Sequence, residues 1–130
     1  MINDIRGFNF LGVRIPEDKN VSMLNIYLEA MTEIILKYDG TIDAFIGDAI
    51  LVIFGAPFLR PDDPQRAVAC AIEMQLAMED VTHRFQELGY PAVEMGIGIN
   101  TGEVVVGNIG SSKRSKYGVV GHQVNLTSRM

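Results

Sequence analysis

The residues predict an α+β fold, a ferredoxin-like split βαβ sheet with helices packed on one face. Three observations predict it. Two long segments carry apolar residues at three- and four-residue steps, the period of a helix that buries one stripe. Each is followed by short runs rich in Ile, Val and Phe, joined by the two-residue connections Gly47-Asp48 and Thr101-Gly102. No repeat, linker or low-complexity run breaks this order, and 130 residues of which 48% are hydrophobic suit one domain with a real core.

Met1 to Asn3 form a stub of strand before Asp4, short of the usual length of about five residues. From Val21 to Tyr38, residues Leu24, Tyr27, Leu28, Met31, Ile34, Ile35 and Tyr38 make one apolar stripe on a helix, which Asp39-Gly40 stops, with Gly40 expected in the left-handed cap. Thr41–Ile46 and Ala49–Phe54 then read as a hairpin with Asp48 at its tip. Asp62 and Asp63 before Pro64 read as a capped start. The second helix follows to Leu88 with Val68, Ile72, Gln75, Leu76, Glu79 and Phe85 along it, and Gly89 ends it.

Val93, Met95, Ile97 and Ile99 alternate with Glu94, Gly96, Gly98 and Asn100, the period of a half-buried strand. Thr101-Gly102 is expected to turn this strand into a second hairpin with Glu103–Ile109. Gly110 to Lys116 reads as a polar, basic loop, Tyr117–Val120 as a short strand, and Val124–Met130 as the start of a helix. The expected single domain, residues 1–130, is on this reading incomplete at its first strand and at its C-terminus.

Sixteen acidic against eleven basic residues give a net charge of -5, the wrong sign for a chain whose main partner is a nucleic acid. A polyanion must then bind locally, through metal. Cys70, the single cysteine, excludes an internal disulfide and a thiolate cluster, and fits a buried structural role in a reducing cytosol. Met1–Phe8 lacks the apolar core of a signal peptide, and the longest apolar run, Ala49–Leu59, is broken by Gly55 and Pro57. A soluble, cytoplasmic segment without membrane insertion is expected.

Two carboxylates carry the chemistry. Asp4 precedes Ile5-Arg6-Gly7-Phe8, where a glycine after a strand lets backbone N–H groups approach a phosphate. Asp48 sits at the tip of the first hairpin. Singly, each is ordinary turn chemistry. Neighbouring strands of such a sheet would bring both to one end, and Mg²⁺ is commonly held by one or two carboxylates together with substrate phosphates. Asn125 and Arg129, four apart, share a helix face, where an amide beside a guanidinium suits orienting a sugar and neutralising phosphate charge, although a capping Asn and a surface Arg would look the same.

Other site signatures are missing. Gly96-Ile97-Gly98 lacks the third glycine of a dinucleotide fingerprint, Gly107–Lys113 is not a Walker A loop, and His83 and His122 have no metal-ligand spacing. There is no nucleophile-elbow serine or cysteine-histidine signature.

Six segments in this order resemble the catalytic domain of class III adenylyl and guanylyl cyclases. They are Asp4-Ile5-Arg6-Gly7-Phe8, Phe45-Ile46-Gly47-Asp48-Ala49, Phe54-Gly55-Ala56-Pro57, Gly96 to Gly102, Gly107-Asn108-Ile109-Gly110, and Val124 to Arg129. The resemblance implies that Asp4 and Asp48 bind two Mg²⁺ or Mn²⁺ ions per active site, with the Ile5 carbonyl as a further ligand. Gly7 and Phe8 amides would meet phosphate, and Asn125 and Arg129 would position ribose and stabilise the transition state. It further implies cyclisation of ATP, or GTP, to a 3′,5′-cyclic nucleotide with release of pyrophosphate. The same resemblance implies a homodimer whose active sites are composite, the metal aspartates on one subunit and the Asn-Arg pair on the other.

Ala44 and Gly118 depart from the family pattern. Both stand where side chains usually read the purine, and neither can donate or accept a hydrogen bond. Asn9 replaces a common Thr or Ser, and His122 a common Asp. An active cyclase, with ATP as the expected substrate, and a degenerate domain that binds nucleotide or only dimerises are the two readings this leaves. A diguanylate cyclase or polymerase palm is disfavoured because the hairpin lacks a Gly-Gly-Asp/Glu-Glu-Phe-like stretch.

Overall fold

The computed structural model describes residues 1–6, 17–110 and 115–121, together with Asn125 and Thr127. In chain order the elements are β1 (Ile2–Ile5), α1 (Glu17–Lys37), β2 (Thr41–Ile46), β3 (Ala49–Ile53), α2 (Asp63–Glu87), β4 (Met95–Gly98), β5 (Val105–Gly110) and β6 (Ser115–Val120). The first, second, third and fourth strands make one sheet in the order β2-β3-β1-β4, each neighbouring pair antiparallel. This is the expected split βαβ arrangement: β3 lies between β1 and β2, and β1 between β3 and β4.

The central place of β1 follows from its pattern. Met1, Asn3 and Ile5 are buried while Asp4 and Arg6 are exposed, the alternation of a strand with one covered face. Four residues suffice because pairing on both sides satisfies the short strand, with Ile2↔Leu51 and Asn3↔Ile50 on one edge and Ile2↔Gly98 to Ile5↔Met95 on the other.

Helix α1 buries Met23, Tyr27, Met31 and Ile35 completely, so the stripe read from the sequence is correct in its centre and shifted at its start from Leu24 to Met23. Its end corrects the expected cap. Asp39, not Gly40, adopts the left-handed conformation, with φ 58°. Its N–H donates to Leu36 O at 3.1 Å, and that of Gly40 to Ile35 O at 3.0 Å, the paired bonds of a Schellman motif. Gly40 is needed for closeness instead: a Cβ there would lie 2.9 Å from both Ile35 Cγ2 and Val52 Cγ1. Gly89 closes α2 as expected, with φ 79° and the same pair of bonds, to Gln86 O at 3.1 Å and from Tyr90 N–H to Phe85 O at 2.8 Å.

At its other end, α2 departs from the expected cap. Asp62 makes no side-chain cap bond. The Arg60 N–H donates to Asp63 Oδ2 at 2.9 Å, and Arg66 pairs with both Asp62 and Asp63. The buried face also differs. Ala67, Cys70, Met74, Met78, Val81 and Phe85 face the core, whereas Val68, Ile72 and Leu76 are 49%, 57% and 70% exposed. Two apolar stripes run side by side on this helix, and periodicity alone does not say which one the sheet covers. Cys70 is buried, and desolvation raises its thiol to about 11, which fits its expected inert role.

The second hairpin is paired differently from the sequence reading. Strand β4 pairs with β1, not with β5, and β5 pairs with β6 in a separate two-stranded sheet, Val105↔Val120 to Gly110↔Ser115. Gly110, Ser115 and Lys116, expected in a loop, are therefore strand residues. The Thr101-Gly102 connection separates two sheets, β4 pairing with β1 and β5 with β6. No helix among the described residues is long and apolar enough to cross a membrane.

The two stripes of α2 make a direct test. Met74→Ala should destabilise the fold by about 2–5 kcal/mol in urea unfolding, and Leu76→Ala by no more than about 0.5 kcal/mol. Equal losses would mean that the helix is turned about its axis relative to this arrangement.

Candidate functional site

At the end of β1 the register brings the two aspartates together. Asn3 is opposite Ile50 of β3, so continuing the antiparallel count sets Ile5 against Asp48. The side chain of Asp48 completes the pairing: the Ile5 N–H donates to its Oδ2 at 2.8 Å. Gly47, at φ 60°, permits the tight turn that presents Asp48 to the strand end, and a Cβ there would meet nothing. Asp4, one residue earlier, is exposed and pairs with Gly96 of β4.

Neither Asp4 nor Asp48 forms an ion pair among the described residues. The basic side chains of Lys37, Arg60 and Arg66 are engaged elsewhere, with Glu73, Asp39, Asp62 and Asp63. Carboxylates that are not held in an ion pair are available to an added cation. Among the described residues no cluster of three or more His, Cys, Asp or Glu is placed to hold a metal. A two-carboxylate end suits a hard divalent ion that shares its ligands with water or substrate oxygens, rather than a closed all-protein site.

Beneath the carboxylates lies a polar contact the sequence reading missed. Asn3 is fully buried and its Nδ2 donates to Tyr27 Oη at 2.6 Å, tying β1 to α1. Burial raises the Tyr27 hydroxyl well above its ordinary value against the opposing effect of the Asn3 bond, and the charges of Asp48 and Asp4 raise it further. Tyr27 was read only as part of an apolar stripe. The available signal was Asn3, a polar residue at an inward position of a strand.

The remaining expected site residues are placed as follows. Ala44 is half-buried on β2, just after a register shift between Ile42 and Ala44. Gly118 pairs with Gly107 in the β5–β6 hairpin, and β6 lies beside β2, so the strands carrying Ala44 and Gly118 are neighbours. Asn125 is exposed, and its N–H donates to Gly121 O at 3.4 Å in a helical turn. Gly7, Phe8, Asn9, His122 and Arg129 lie outside the described residues.

Comparison with known proteins gives one answer. Residues 1–130 match the adenylate and guanylate cyclase catalytic domain. The chain is 30% identical over 130 residues to adenylate cyclase 1 of Rhizobium meliloti (strain 1021), covering 100% of this chain and 20% of that protein. Its fold matches the crystal structure of the guanylyl cyclase Cya2 with a TM-score of 0.95 and 56% identity, over 98% of this chain and 65% of that one. The adenylyl cyclase CyaB from P. aeruginosa gives a TM-score of 0.94 and 39% identity, over 98% and 67%. The chain thus spans about a fifth of the length of the curated relative from R. meliloti.

The Asn3–Tyr27 bond has a measurable signature. Tyr27→Phe removes one oxygen and leaves the buried Asn3 amide nitrogen with only the weak Met95 sulfur acceptor at 3.9 Å, so it should cost about 1–3 kcal/mol in urea unfolding. A change within error would show that the bond contributes nothing to holding β1.

Proposed function

The chain belongs to the adenylate and guanylate cyclase catalytic-domain family, and on that premise we propose that it cyclises a purine nucleoside triphosphate, ATP or GTP, to a 3′,5′-cyclic nucleotide. The observation that carries this reading is the 2.8 Å bond from the Ile5 N–H to Asp48 Oδ2, which seats the hairpin tip against the strand end beside Asp4. The reaction is an in-line displacement. The ribose 3′-oxygen forms a bond to the α-phosphorus, the bond to the bridging oxygen breaks, pyrophosphate leaves, and the hydroxyl proton passes to solvent.

Asp4 and Asp48, with the Ile5 carbonyl, are the residues that would hold Mg²⁺ or Mn²⁺, two ions per site in this reading. Such ions supply Lewis-acid activation of the hydroxyl and neutralise the triphosphate. Backbone amides of Gly7 and Phe8 take phosphate oxygens. Asn125 orients the ribose, and Arg129 neutralises charge that develops at phosphorus. In a homodimer these last two come from the partner subunit. Phe45 and Ile46, immediately before the Gly47-Asp48 turn and 53% and 63% exposed, support an interface at this end of the sheet. Such a dimer would act in signal transduction as one module of a longer chain.

Asp48→Ala should lower cyclic nucleotide formation from ATP or GTP with Mn²⁺ by at least about 100-fold, the scale of losing one charge-stabilising group. Cyclisation at the wild-type rate in that variant would sink the metal assignment.

Ala44 and Gly118 favour weak base selection, and they are also what favours a second reading, a domain that binds nucleotide or dimerises without turnover. ATP is the substrate expected from the sequence, whereas the relative at 56% identity is a guanylyl cyclase. A pocket without base-reading hydrogen bonds should separate ATP from GTP by no more than about 100-fold in kcat/KM. Ala44→Lys with Gly118→Asp should then raise the preference for ATP. An unchanged ratio would show that these positions do not face the purine, and absence of cyclic product from wild type with either nucleotide would leave the second reading.

A further inference from the structure

Arg6 is the residue of this end of the sheet that the reading above leaves without a task. Its backbone is fixed, its N–H donating to Glu94 O at 2.8 Å, and its side chain is exposed. The position of that side chain is set by a missing one. A Cβ on Gly96 would lie 3.5 Å from Arg6 Nε, 3.5 Å from Arg6 Nη2 and 3.5 Å from Asp4 Oδ1. The guanidinium and the Asp4 carboxylate therefore flank the same bare Cα, close to each other without forming an ion pair. A larger residue than alanine at position 96 would drive them apart.

Arg6 also lines an open groove of about 690 Å³ between α2 and β4, together with Glu79 and Glu94. It pairs with neither. Lys37, Arg60 and Arg66 each hold an acidic side chain of the scaffold, whereas Arg6, like Lys19 and Arg84, forms no ion pair among the described residues. A guanidinium presents a planar fork of donors that matches phosphate oxygens, and it keeps its charge at any working pH. In a chain of net charge -5, with two carboxylates at the site, a polyphosphate is favoured by such a cation beside any metal.

We propose that Arg6 is a substrate-binding residue of the site, its guanidinium contacting the polyphosphate chain of the nucleotide from the β4 side of Asp4. This rests on the nucleotide reading above and names a protein cation for it. It also sets a sign. A fixed positive charge beside Asp4 attracts phosphate and repels a divalent cation, so its removal acts on the two in opposite senses. A residue that merely held the strand end would weaken both.

The experiment measures two affinities in the full chain. Binding of a non-hydrolysable nucleoside triphosphate in Mg²⁺ is followed by calorimetry. Binding of Mn²⁺ without nucleotide is followed by the electron paramagnetic resonance of the free ion. Arg6→Gln should weaken triphosphate binding by about tenfold, the equivalent of one charge-assisted hydrogen bond, with Mn²⁺ bound as tightly as in wild type or more tightly. Arg6→Lys, which keeps the charge and loses the fork, should fall between. Unchanged triphosphate affinity in Arg6→Gln overturns the proposal, and so does weaker binding of both ligands, the mark of a structural role. Failure of wild type itself to bind the triphosphate would overturn the nucleotide reading beneath it, a result distinct from either.

Discussion

A single side chain acting as a strand neighbour sets the geometry at the candidate site of this domain. Asp48 lies in a turn, yet its carboxylate accepts the Ile5 N–H at 2.8 Å, where a backbone carbonyl would otherwise extend the ladder. The bond requires that β1 sit between β3 and β4, that Gly47 take a left-handed turn, and that the first hairpin stay in register with the strand end. A one-residue slip of β1 would exchange its buried and exposed faces, putting Asp4 into the core and Asn3 outside. The Asn3–Tyr27 bond opposes that slip from the helix side. Position of the carboxylates and correctness of the fold are thus the same condition.

Charge is distributed to match. Lys37, Arg60 and Arg66 balance acids locally, at Asp39, Asp62, Asp63 and Glu73, on the helices and their connections. At the end of β1 the carboxylates have no such partner among the described residues, and the nearby guanidinium stands off from them. The exposed pairs of Lys37 and Arg60 contribute little to stability, so they matter less for what they add than for the acids they neutralise away from this end. The Tyr27 hydroxyl is raised first by its own burial, and the charges of Asp48 and Asp4 add to that in the same direction.

The sheet and helices were legible because their signals are local. Apolar period located α1, the Gly-Asp turn located the β2–β3 hairpin, and Gly89 marked the end of α2. What failed needed tertiary information. Thr101-Gly102 has the chemistry of a hairpin turn, but β4 pairs with β1, nearly a hundred residues earlier, and β5 pairs with β6 beyond it. On α2 the apolar residues cover two adjacent faces, and only the sheet decides that Met74 is inside and Leu76 outside. Gly40 looked like a cap because glycine usually is one, whereas its neighbour Asp39 took the left-handed angle and the glycine was needed for space. Of the site, Asp4 and Asp48 were readable as a pair from their ordered motifs. Tyr27 and Arg6 were not, since one was hidden in an apolar stripe and the other depends on the absence of a side chain across the sheet.

The core beneath the sheet contains Met1, Met23, Met31, Met74, Met78 and Met95. Unbranched thioether chains fill irregular space by adjusting their torsions, so such an interior is defined more by its total volume than by interlocking shapes. The practical result concerns evolutionary drift. Leucine–methionine exchanges can accumulate inside this domain at small cost while the chemistry at its edge stays aligned, because that alignment is held by directional bonds from Asn3 and Asp48 and not by the fit of the packing.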